Sequence, residues 1–206
     1  MPQRSDTRQR MVRSTVELLR ERGATATTID RVLADSGAPR GSVYHHFPGG
    51  RSQLVREAVA TATVPMVTAI ESAAENDNVV EAVEGLFAGW RVGVVEGDYR
   101  SGCPIVAAAV ETNDDAPEIA ESAGTAFGQW CDALAKLLQN FGISVERSRV
   151  LAFTIIGAQE GALVLSRAMR STEPLDAVRD EISKLLANAV GETENVPEHH
   201  GDDKSE

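Results

Sequence analysis

Cysteine is nearly absent from this chain: two in 206 residues, Cys103 and Cys131. That is too few for the disulfide framework of a small secreted domain. Aromatic residues make up only 4%. No run of apolar residues reads as long enough to cross a bilayer, and residues 1–22 are amphipathic and Arg-rich, unlike a signal peptide. Alternating β-branched runs are missing, which points away from a sheet, and no segment repeats. No Ser-His-Asp, Cys-His or two-carboxylate spacing suggests catalysis. These absences lead to the expectation of a soluble, cytoplasmic, all-α protein that has no cofactor or structural metal and no membrane partner.

Positive charge is also in the minority, with 20 Lys and Arg against 31 Asp and Glu, a net −11. Its distribution is uneven. Residues 1–56 hold ten Arg and five acids, a local charge of +5, so the rest carries −16. A basic head on an acidic body suits docking on a polyanion through the head alone, since phosphate repels the body.

What is present is concentrated between Thr28 and Leu54. Ile29, Val32 and Leu33 share one face of a short helix that Thr27 or Thr28 can cap. Gly37 stops it, and Pro39 suits the start of the next helix. Val43 and Phe47 point to a core, which leaves Arg40, Gly41, Ser42, Tyr44 and His45 outward. A short helix, a glycine turn and a second helix with a basic, hydroxyl-bearing outer face form a helix-turn-helix, whose second helix enters the DNA major groove. His45 and His46 are adjacent, so they point apart and cannot form an i, i+4 metal pair.

The run Gly41-Ser42-Val43-Tyr44-His45-His46-Phe47, followed by Arg51, resembles the helix-turn-helix of TetR family transcriptional regulators. APRGSVYHHFPGGR, with Gly102-Cys103-Pro104 further on, is similar to the LmrA/YxaF-like subgroup. Leu33 stands where the family usually has Ala, and the Pro48–Gly50 junction is one residue longer than usual. The resemblance implies a homodimeric, ligand-responsive DNA-binding regulator, most often a repressor, reading a palindromic operator in double-stranded DNA. Arg40 is expected on a base edge, with Gly41, Ser42 and His45 on the same reading surface. Thr28, Tyr44, His46 and Arg51 are expected on phosphates.

The remainder reads as helices at about 6–22, 50–74 (with a kink at Pro65), 79–96, 104–112, 117–141, 144–170 and 174–190. The expected division is a DNA-binding head over 1–50, with its helix-turn-helix at about 28–47, a ligand-binding and dimerisation body over 51–190, and a disordered acidic tail over 191–206. The helix at 144–170 is apolar on nearly all sides, which predicts burial on one face by its own core and on the other by a partner. The resemblance puts the dimer interface in the last two helices, with Ile156, Gly161, Leu163, Leu175, Ile182 and Leu186 as candidates. It puts the effector pocket in the middle of the chain. There Met66, Phe87, Trp90, Cys103, Phe127 and Trp130 lie among small residues that leave room for a small apolar or amphipathic ligand.

Two other readings compete. Asp114, Asp115 and Glu118 could hold Mg²⁺ in an all-α enzyme, although acids just before a helix opening at Pro117 are what capping favours. Cys103 and Cys131 could form a thiol sensor, since Cys103 precedes a helix N-terminus where a thiolate is stabilised. His199-His200 has no partner pattern.

Overall fold

Helix propensity and the 3.6-residue apolar period carry through the tertiary structure, a computed structural model that describes residues 2–111 and 116–194, with side chains from 6 to 111 and from 116 to 190. The helices are α1 (Pro2–Arg22), α2 (Ile29–Ser36), α3 (Ser42–His46), α4 (Gly50–Ser72, continued by a 3-10 turn, Ala73–Glu75), α5 (Val79–Glu96), α6 (Pro104–Glu111), α7 (Pro117–Asn140), α8 (Val145–Met169) and α9 (Glu173–Glu194). No strand occurs among the described residues. Residues 112–115, including Asp114 and Asp115, lie outside the described residues. So does the tail from residue 195; the backbone of 191–194 continues α9.

The ends of the helices follow local chemistry. The Thr28 hydroxyl accepts from Arg31 N–H (3.3 Å), Asn78 Oδ1 from Glu81 N–H (2.9 Å) and Ser144 Oγ from Arg147 N–H (3.3 Å), each satisfying an otherwise orphaned donor. Gly37 sits at φ +64°, where a side chain would be strained, and so lets the chain reverse into α3. At the start of α4, Gln53 Oε1 accepts from Gly49 N–H (2.9 Å).

The small N-terminal unit packs α1, α2 and α3 around Met11, Val43 and Phe47, none of which is accessible to solvent. It is not isolated. α4 begins in it and runs into the body, where it packs along α7, and α1 also meets α4 and α6. α8 lies between α7 and α9, and α9 also covers α5. Pro65 falls inside α4 and has no N–H to give to the carbonyl of Thr61. Two residues before Pro65, the carbonyl of Thr63 accepts from Trp130 Nε1 of α7 (3.1 Å), pinning the two helices together at the irregularity.

α8 corrects one expectation. By length and composition it could cross a bilayer, with a mean hydropathy of 1.3 over its most apolar stretch, half of which is buried within this protein. It is a core helix with one bare face. Leu151, Ala152, Ile155, Ile156, Ala162 and Leu163 are buried in the chain's own core. Val150, Phe153, Gly157, Gly161, Val164 and Leu165 form a continuous exposed stripe, and Phe153 alone is 55% exposed.

Candidate DNA interface and ligand cavity

The reading helix is short. Pro39 to Ser42 is a turn closed by Ser42 N–H to Pro39 O (2.9 Å) and by the Ser42 hydroxyl to the same carbonyl (2.6 Å). Arg40 and Gly41 therefore sit in this turn, just before α3, and Ser42 is half-buried with its hydroxyl already engaged. Arg40 is exposed, and its guanidinium engages no described residue. Tyr44 is 65% exposed although aromatic, and His45 is exposed beside it. His46 is half-buried, edge-on to His45 (5.1 Å) and to Phe47 (6.4 Å). Thr28 is exposed at the N-terminus of α2.

Arg51 is placed differently from the other candidates. It is half-buried, and its guanidinium donates to the carbonyls of Thr27 (2.9 Å) and Ala24. It ties the start of α4 to the loop before α2, so it fixes the orientation of the head and does not reach outward as a free charge. The sequence could not show this, because the carbonyls it meets are more than twenty residues away along the chain. Arg8 likewise stacks over Phe47 (5.0 Å) and pairs with Glu57, joining α1 to α4.

In the body, a cavity of about 440 Å³ opens between α1, α4, α5 and α7. Met66, Trp90 and Trp130 line it, three of the six residues expected there. Trp90 and Trp130 meet edge to face (6.2 Å), with Phe127 packed edge-on behind Trp130 (5.7 Å). Phe87 is 3% exposed and belongs to the core, not to the wall. A second hollow of about 230 Å³ continues along α5 and shares Arg20, Pro65, Met66 and Trp90. The indole Nε1 of Trp90 is buried without a hydrogen-bond partner. The periodicity reading missed the α1 wall: Arg13, Val16, Glu17 and Arg20 all line the cavity. Pro65 inside an otherwise regular helix was the one sequence signal of an irregular wall.

Cys103 lies elsewhere, in a cavity between α1, α6 and α8. Burial, followed by the charge of Glu160, pushes its thiol well above the usual value, and burial raises Cys131 as well. Both thiols are thus held protonated, the opposite of the reactive thiolate a sensor needs. Glu118 is half-buried, and its carboxyl is held below the usual range first by a hydrogen bond from Ser52. No group of side chains suited to a metal ion occurs among the described residues.

Of the dimer candidates, Ile156, Leu163, Leu175, Ile182 and Leu186 are all buried inside the single chain, and only Gly161 is on the bare face of α8. A Cβ built on Gly157 or Gly161 would meet nothing within 4 Å. An all-round apolar helix conceals which face is inward, so the sequence did not show that Ile156 and Leu163 of α8 face this chain's own core.

A basic helix-turn-helix joined through α1 and α4 to an acidic helical body is the architecture of a DNA-binding transcription regulator. Residues 12–58 match the family model of bacterial regulatory proteins of the tetR family, and residues 79–181 match the transcriptional regulator LmrA/YxaF-like C-terminal domain. The HTH-type transcriptional regulator Rv0196 of Mycobacterium tuberculosis (strain ATCC 25618 / H37Rv) is 42% identical over 185 residues, covering 87% of this chain and 93% of that protein. The HTH-type transcriptional regulator LmrA of Bacillus subtilis (strain 168) is 25% identical over 182 residues, covering 88% and 97%. In fold, the chain is similar to a TetR transcriptional regulator from Legionella pneumophila, with a TM-score of 0.78 at 20% identity over 85% of this chain and 95% of that one. The chain belongs to the TetR family of transcriptional regulators, in its LmrA/YxaF-like branch.

Proposed function

We propose that this protein is a cytoplasmic, homodimeric repressor that leaves its operator when a small apolar or amphipathic ligand fills the tryptophan-lined cavity. The observation that carries the reading is that α1 is a wall of that cavity as well as a core element of the DNA-binding head. A ligand there touches the head directly. Arg13 lines the cavity without engaging any described residue, and the Trp90 N–H lacks an acceptor, so a ligand oxygen would find donors among apolar walls. The mechanism is a population shift: ligand favours a tilt of α1 and α4 that no longer fits two recognition elements into successive major grooves about 34 Å apart.

Arg40, Gly41, Tyr44 and His45, with Thr28 at the N-terminus of α2, are the proposed reading and positioning surface. His46 acts through ring packing, with Ser42 and Arg51 holding the geometry. The dimer is proposed on the bare stripe of α8 alongside α9. The test is footprinting of the full chain on the DNA upstream of its own gene. Two protected half-sites about one helical turn apart are expected. A single unpaired half-site, or no protection, would exclude the dimeric operator reading.

A further inference from the structure

One buried group has no place in the regulator mechanism. Glu160 of α8 is 8% exposed, and both its carboxylate oxygens are buried without a hydrogen-bond partner. Burial raises its pKa from the ordinary 4.5 to about 7, and the adjacent Cys103 thiol pulls it back only in part. That thiol makes no hydrogen bond of acceptable geometry to either oxygen, so desolvation dominates. Gln159 Nε2, the next residue on α8, is also buried and unpaired. Buried carboxyl groups are ordinarily paired, so the missing counter-charge needs an explanation.

Glu160 and Cys103 line a cavity of about 480 Å³ between the end of α1, α6 and α8. Its apolar wall includes Leu19, Val106 and Leu163. The charged groups facing it are Glu21 and Arg22 from α1, Glu111 from α6 and Arg167 from α8. Two are occupied in holding the head: Glu111 Oε2 accepts from Thr25 N–H (2.8 Å), and Arg167 donates to the Glu21 carbonyl (3.5 Å). None of these groups pairs with Glu160. A lone carboxyl with no second hard ligand is a poor metal site. An ammonium, by contrast, brings three donors and a full counter-charge on an apolar stem.

We propose that this cavity is a second ligand site, separate from the tryptophan cavity, which takes a small primary alkylammonium ion with its ammonium on Glu160 and its chain along Leu19, Val106 and Leu163. The site is placed to act on the head. Around it, Gly102 N–H donates to the Arg20 carbonyl (2.9 Å), Arg167 reaches the Glu21 carbonyl, and Glu111 holds Thr25. Gly23, at φ +82°, has no room for a Cβ against the Glu111 carboxylate, so the end of α1 is seated closely on α6.

The probe is hexylammonium chloride, titrated calorimetrically into the full chain. Saturable binding is expected that strengthens about tenfold per unit as pH rises towards about 7, as Glu160 ionises, and levels off above it. Hexanol and hexanoate should not compete. Glu160→Gln should weaken hexylammonium binding at least about tenfold and abolish its pH dependence. Ala107→Leu, which fills the cavity and leaves the carboxyl intact, should weaken it as well and decides the matter if Glu160→Gln does not fold. Binding unchanged in the folded variants, competition by hexanol, or no saturable binding by the parent chain would each overturn the proposal.

Discussion

Arg40 and Arg51 carry the same charge and are placed in opposite ways. Arg40 stands free before α3, whereas Arg51 is bound into carbonyls of the loop ahead of α2. Arg40→Ala is expected to cost about 1–3 kcal/mol of operator affinity and to relax preference at one base pair per half-site, with the thermal midpoint unchanged. Arg51→Ala should lower the stability of the head by about 1–3 kcal/mol, since it leaves two carbonyls short of a charged donor, and weaken binding to all DNA alike. Fluorescence anisotropy on operator variants, paired with urea unfolding, separates the two; a base-specific effect of Arg51→Ala would instead place it in the groove. Glu160 gives a pH prediction. Its folded pKa of about 7 lies above the ordinary 4.5, so the folded state binds the extra proton. Its contribution to stability is complete below about pH 4.5 and is lost as pH rises to about 7, amounting to at most about 3 kcal/mol. Glu160→Gln should flatten that part of the stability profile; an unchanged slope would mean the carboxyl is hydrated.

At the scale of the element, α8 carries the proposed contact between two copies. Its apolar residues divide into a buried set around Ile156 and Leu163 and a bare set around Phe153 and Val164. Phe153→Glu should yield a monomer by sedimentation velocity with helical content retained, whereas Ile156→Glu should unfold the chain, because an unpaired charge in the core costs several kcal/mol. If Phe153→Glu stays dimeric, the interface lies elsewhere. Most of the helix boundaries were legible, α5 over Val79–Glu96 to the residue, because Asn78 and Gly97 mark both ends. The facing of α8 was not, since Leu, Ile, Val and Phe occur on every side and a period can only be read where polar residues interrupt it.

For the whole molecule, the sharing of α1 between head and cavity predicts reciprocal linkage. An apolar effector should quench tryptophan fluorescence and weaken operator binding over one concentration range, with a coupling of about 1–3 kcal/mol, and operator should weaken effector binding by the same factor. Trp130 is 2% exposed and bonded to the carbonyl of Thr63, so Trp130→Phe is the informative change and a truncation to Ala would leave a large core void. Trp130→Phe should reduce effector affinity and leave ligand-free DNA binding intact. Loss of DNA binding without ligand would mark Trp130 as a hinge residue only. The contrast between +5 in residues 1–56 and −16 beyond them makes steep salt dependence the companion expectation.

The helix-turn-helix, the all-α class and the charge asymmetry were present in the sequence by itself, because caps, glycine turns, apolar period and formal charge act over a few neighbouring residues. Tertiary structure alone decided the rest. It turned Arg51 inward, made α1 a wall of the tryptophan-lined cavity, moved Phe87 into the core and Cys103 into a different cavity, and left Glu160 buried without a partner. Each of these depends on which distant segment fills the space beside a side chain. That choice is set by packing the whole core at once, and no local pattern records it.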